Sequence, residues 1–193
     1  MMKKQIDRLY EVFSSYPRPT EFGGCECCTV RLDAEPLISK PLRALSTEDL
    51  EFYAFKAMTT IGNVDDFRYF LPRIVELTET DIYFIDAGVT FEKFHIGGFE
   101  DWPDPERRAI RSYLFAGWRK AVNSMDSAWG DNYLCGAGKL FDDISQFLDY
   151  ADSVAPDFRK TYEESCSLGT MMVSERWRGN KNHKRVLAWF SGA

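Results

Sequence analysis

The sequence predicts an all-α protein folded as a single domain over residues 1–193. Three observations carry that expectation. Apolar residues recur at three- and four-residue steps, the spacing of one helix face. Capping residues, glycines and prolines bracket these stretches as helix starts and stops. The composition, 45% hydrophobic and 15% aromatic with fifteen Phe and five Trp, suits a core of bulky rings, and a chain of this length buries roughly 70% of its unfolded surface without staples. About seven to nine helices with short connections follow, stacked as antiparallel hairpins in an irregular α-α array, with a compact orthogonal helical bundle as the alternative.

Residues 2–16 read as the first helix, with Ile6, Leu9, Tyr10 and Phe13 on one face and Tyr16-Pro17-Arg18-Pro19 as its stop. Residues 17–45 show no clean period. Gly23-Gly24 opens a cysteine cluster there, and Pro36 and Pro41 punctuate the rest. A stretch this long without structure is unusual in a compact domain. It calls for a function, or for a metal that pins it.

The stretch from Ser46 to Glu79 organises the chain as two helices joined at Gly62-Asn63. Ser46 or Thr47 caps the first, with Glu48 and Asp49 at the positive end of its dipole. Leu50, Tyr53, Ala54, Ala57, Met58 and Ile61 share its face, and Phe52 and Phe55 off that face suggest that a second side is covered too. Gly62 stops it. Asp65 or Asp66 caps the second helix, whose stripe is Phe67, Phe70, Leu71, Ile74 and Leu77. Pro72 inside it predicts a kink or a restart.

Ile82-Tyr83-Phe84-Ile85 is an apolar run that fits a strand or the entry to a helix. Asp86 caps a helix through Ile96 that ends at Gly97-Gly98. Asp104-Pro105-Glu106 opens a long helix carrying Ile110, Tyr113, Leu114, Trp118, Ala121, Val122 and Met125. Residues 126–139 read as loop. A helix from Lys139 to about Val154 follows, with Leu140, Ile144, Phe147, Leu148 and Ala151 inward. Another starts at Pro156 with Phe158 and Tyr162. Met171, Met172 and Trp177 suggest one more, and Asn182 to Phe190 the last.

The chemistry-bearing candidate is Cys25-Glu26-Cys27-Cys28. Cys25 and Cys28 have the two-residue spacing by which one tight turn presents two thiolates to zinc. A closed site takes four ligands, so Cys27 and a distant group would complete it. Cys135, Cys166, His95 and His183 are the remaining Cys and His residues. Cys25, Cys27 and Cys28 are therefore the expected metal ligands and zinc the expected ion. Free thiols in a loop are the plainer reading. A redox Cys-x-x-Cys pair is a third, although such pairs stand at a helix start after a strand, and no strand is visible before Gly23.

Gly24-Cys25-Glu26-Cys27-Cys28, Pro41-Leu42-Arg43-Ala44-Leu45 and Asp66-Phe67-Arg68-Tyr69-Phe70-Leu71-Pro72-Arg73 together resemble a set of uncharacterised bacterial proteins with a short Cys-rich stretch near the start and helices after it. The resemblance covers roughly the first eighty residues and extends beyond them only in pattern. It implies a helical fold and a bacterial origin. It implies no activity and transfers no site residue.

Other signals fall away. Cys135-Gly136-Ala137-Gly138-Lys139 has the start of a phosphate loop, but Tyr133 and Leu140 stand where glycine and Ser/Thr are required. The two histidines are far apart and lack an acidic metalloprotease motif. Asp65-Asp66 and Asp142-Asp143 read as helix caps, and Arg68 and Arg73 as ion-pairing or carbonyl-capping groups beside Pro72. The net charge of −6 opposes general binding to nucleic acid or acidic membranes. Arg176, Arg178, Lys181, Lys184 and Arg185 form a locally basic segment beside Trp177 and Trp189, which sets nucleic-acid binding against a solvated helix face. No run of about 18 apolar residues appears. The five cysteines, an odd number, and the charged amphipathic start suit the cytoplasm. With no catalytic constellation visible, the expected function is a helical protein that binds a protein partner. A small metal- or thiol-dependent enzyme built on the cysteines is the alternative.

Overall fold

The computed structural model describes residues 2–81, 84–168, 177 and 179–192, the side chains of 166–168 excepted. Among the described residues every regular element is helical, as the sequence predicts. In chain order these are α1 (Met2–Val12), α2 (Glu26–Thr29), α3 (Glu35–Ser39), α4 (Thr47–Lys56), α5 (Val64–Thr80), α6 (Ala87–Ile96), α7 (Asp104–Asn123), α8 (Ser127–Leu140), α9 (Ser145–Val154), α10 (Pro156–Leu168) and α11 (His183–Ser191), with 3-10 turns at Leu42–Ala44 and Phe99–Asp101. Ile82 and Tyr83, the helix expected around Met171 and Met172, and Arg176 and Arg178 lie outside the described residues.

Two compact units emerge, residues 3–109 and residues 1–2 with 110–193, and α7 belongs in part to each. In the first unit α4, α5 and α6 pack on one another. Tyr53, Phe67, Phe70, Phe91 and Phe94 are fully buried between them. Tyr53 meets Phe70 tilted with centroids 4.8 Å apart, Phe94 meets Trp102 edge-on at 5.7 Å, and Phe91 stacks on Phe94 at 6.3 Å. Each such side chain contributes about 2 to 3 kcal/mol through burial alone.

The caps of this unit follow the sequence with adjustments. Ser46 and Asp49 form a reciprocal capping box on α4. On α5 the cap is Asn63, two or three residues earlier than the expected Asp65 or Asp66, and Asp66 closes the box onto the Asn63 amide. The helix α5 runs through Pro72 without restarting. Arg73 caps the Leu45 carbonyl at 2.8 Å and pairs with Glu76 at 2.7 Å. The helix α4 stops at Lys56, before Gly62, because Ala57 leaves helical dihedrals and Met58 adopts φ 61°. The expected second covered side of α4 is only half right: Phe52 is half-buried, but Phe55 is 53% exposed.

In the second unit α10 packs against both α8 and α9. Trp118, Phe147, Phe158, Tyr162 and Trp177 are fully buried. The predicted loop at 126–139 is the main error, since these residues form the buried helix α8. Two of its glycines, Gly130 and Gly138, are contact points. A Cβ at Gly130 would lie 2.9 Å from the Phe158 ring, and one at Gly138 would lie 2.9 Å from Asn180 and Trp177. Gly117 of α7 likewise receives the Tyr133 ring. The single helix expected from Lys139 to Val154 is two, broken at 141–144, where Asp143 accepts from the Ser145 amide.

Candidate metal centre

The cysteine segment is built onto the turn between α4 and α5. Phe22 anchors it from one side, its ring 5.3 Å from Tyr53 and 6.1 Å from Phe70. The backbone then pairs with the turn. Gly62 N–H donates to the Gly23 carbonyl at 2.8 Å, and Cys25 N–H donates to the Thr60 carbonyl at 2.9 Å. Gly24 and Ile61 form an isolated antiparallel bridge. Gly24 is required there: its φ is 136°, and a Cβ would sit 2.1 Å from the Thr60 oxygen.

After this bridge the chain turns into α2. Cys25 occupies the cap position, and Cys27 and Cys28 fall in the first turn. The Cys25 and Cys27 Sγ atoms are 2.8 Å apart, those of Cys27 and Cys28 3.8 Å, and all three lie within 4.8 Å of one another. These three predicted ligands are therefore close enough to hold one metal ion. Tetrahedral zinc–thiolate geometry needs sulfurs about 3.8 Å apart. The Cys27–Cys28 pair already meets this, and Cys25 needs to swing outward by about 1 Å.

Among the described residues no fourth ligand joins them. His95 is exposed on α6, His183 stacks on Trp177, and Cys135 is buried in α8 beside Asn180. The side chain of Cys166 lies outside the described residues. Cys25 and Cys27 are exposed and Cys28 is half-buried, so the cluster faces solvent. A hydrogen bond with the Cys27 thiol, then the amides of Cys27 and Cys28, hold the Cys25 thiol below its ordinary pKa. Facing Cys25 and Cys28 pushes Cys27 up to about 11. The first proton to leave is thus favoured to be that of Cys25, and removal of a second is aided by a cation.

Sequence reasoning found the three cysteines but missed the turn that carries them. Gly23-Gly24 was its only signal. It also missed that Cys25 stands at a helix start, the placement that Cys-x-x-Cys chemistry uses. Elsewhere the basic segment meets acids: Lys181 pairs with Asp142 at 2.6 Å and Arg185 with Asp143 at 2.9 Å. An open groove of about 380 Å³ is lined by Glu48, Glu51, Phe52, Phe55 and Ile85. No helix among the described residues is long and apolar enough to cross a membrane. No protein-family model, curated protein or solved structure matches this chain.

Proposed function

We propose that this is a cytoplasmic helical metal-binding protein in which Cys25, Cys27 and Cys28 hold one zinc ion and leave its fourth position open. The observation that carries the reading is the convergence of three thiols within 4.8 Å. Structural zinc sites are closed by four protein ligands, whereas sites that act on something else keep a position free. The backbone bridge to Thr60 and Ile61 and the Phe22 ring hold the segment in place without an ion. Zinc is then not needed for folding, and the ion is presented to a partner or a small ligand. Solvent exposure of Cys25 and Cys27 supports that use.

The test is metal content per chain on untagged protein, with reactive thiols counted before and after chelation. About one zinc per chain, three cysteines protected until chelation, and an unchanged circular dichroism spectrum afterwards are expected. Metal-free protein that takes up no added zinc defeats the proposal. Unfolding on chelation would make the zinc structural.

A second reading, a protein-binding surface on α4, is favoured by Phe55, which stays 53% exposed beside the groove. Replacing Phe52 and Phe55 with serine would remove a bound partner while leaving zinc content intact. If partner binding followed the cysteines instead, this second reading would fall.

A further inference from the structure

The cluster has a donor set and a shape that select among ions. Its donors are three sulfurs, and no carboxylate or imidazole of the described residues joins them. Purely thiolate sets favour soft ions. The sulfurs also lie within 4.8 Å of one another, with Cys25 and Cys27 open to solvent. Zinc in such a site must recruit a fourth ligand from outside. A three-coordinate pyramidal ion needs none, because its lone pair occupies the open corner.

We infer that Cys25, Cys27 and Cys28 form a binding site for trivalent arsenic, supplied as arsenous acid. The inference rests on the reading that the three sulfurs converge on a single ion. Three S–H bonds and three As–OH bonds break, three As–S bonds form, and the protons leave with the hydroxyls as three waters. Arsenic stays trivalent, and no oxidant or reductant enters. The bridge from Gly24 to Ile61 helps, since the backbone of the site is in place before the ion arrives.

The experiment titrates reduced, metal-free protein with arsenite under argon. Three readouts are followed: sulfur-to-arsenic absorption in the near ultraviolet, free thiols, and intact mass. One arsenic per chain replacing three protons, with three thiols protected, is expected. Cys27→Ser leaves two thiols, and affinity falls about a hundredfold with loss of the third tether. Cys25→Ser behaves alike, and circular dichroism verifies that both variants fold. An adduct that keeps a hydroxyl and replaces two protons overturns the inference, as does binding that survives either substitution. The same preparation is titrated with zinc. Zinc binding without arsenite binding sinks this inference and leaves the zinc assignment standing. Arsenite binding without zinc binding does the reverse, and failure of both removes the site.

Discussion

Cys25 N–H donates to the Thr60 carbonyl at 2.9 Å, and through this bond the cysteine segment is held by the turn between α4 and α5. The pairing survives only with glycine at position 24, where φ is 136° and the Thr60 oxygen is already in the space of a Cβ. Gly24→Ala is expected to cost about 2 kcal/mol or more in stability, because it combines a clash with a strained dihedral. It should also weaken metal binding, since the cluster loses its support. Urea unfolding and zinc titration measure the two effects. Full affinity in the variant would show that the bridge does not position the thiols.

Lys93 closes the far end of the same turn. It is 4% exposed and donates to the carbonyls of Phe55 and Ala57, at 2.9 Å each. These carbonyls lie where α4 runs out of intrahelical partners. Burial holds the ammonium below its ordinary pKa, which offsets part of the gain. Lys93→Met should therefore destabilise by about 1 to 2 kcal/mol, less than two charge-assisted hydrogen bonds would suggest. Chemical denaturation decides it, and a neutral effect would mean that desolvation cancels both bonds.

Asn182 plays a similar part in the second unit. It is 3% exposed, and its amide donates to Gly138 at 2.9 Å and to Phe141 at 2.8 Å, both carbonyls at the end of α8. Its own N–H is taken by Asn180, whose amide donates to the Cys135 carbonyl at 3.1 Å. Asn182→Ala strands two acceptors and should cost about 2 to 3 kcal/mol. Asn182→Asp should cost more, by turning a donor toward oxygens into an acceptor. Thermal melts of both variants test the order.

Tyr16 gives a pH signature. Burial, followed by its 2.7 Å hydrogen bond to Glu106, pushes its pKa up to about 12 from 10.0. The folded state holds this proton more tightly than the unfolded chain. The contribution to stability is thus fully present below pH about 10 and is lost as pH rises through about 12. In alkaline titration followed by phenolate absorbance, the wild type minus Tyr16→Phe difference should emerge near pH 12. A difference centred on pH 10 would show the phenol to be free.

Met125 occupies a position that suits glycine. Its φ is 56°, Asp126 N–H donates back to the Ala121 carbonyl at 2.9 Å, and Met125 N–H to Val122 at 3.2 Å. This is the left-handed residue of a helix-ending motif after α7. Met125 is 42% exposed, so little packing is lost with it. Met125→Gly should stabilise by about 1 kcal/mol and raise Tm by roughly 3 °C. A lower Tm would mean that the exposed side chain packs more than its surface suggests.

The legible parts of the sequence were those where one local rule decides. The capping boxes at Ser46 and Asn63, the start at Asp104 and the cap at Asp86 depend on neighbours within four residues, and all lie at or within a turn of their expected places. The Cys25, Cys27 and Cys28 grouping was legible for the same reason. What was not legible depends on distant partners. Glycine at 130 means a turn in isolation and a seat for Phe158 in the fold. Likewise nothing near Lys93 in sequence announces Phe55 and Ala57.

Glycines 130, 136 and 138 give α8 a cost of about 3 kcal/mol in intrinsic propensity relative to alanine. A peptide of residues 127–140 would be coil in water. The helix gains its order from Phe158 and Trp118 on one glycine and from Trp177 and Asn180 on another. Residues separated from these glycines by up to about forty positions must therefore be in place first. In kinetic terms, α8 is expected to consolidate late, so substitutions along it should speed unfolding and leave the refolding rate nearly unchanged.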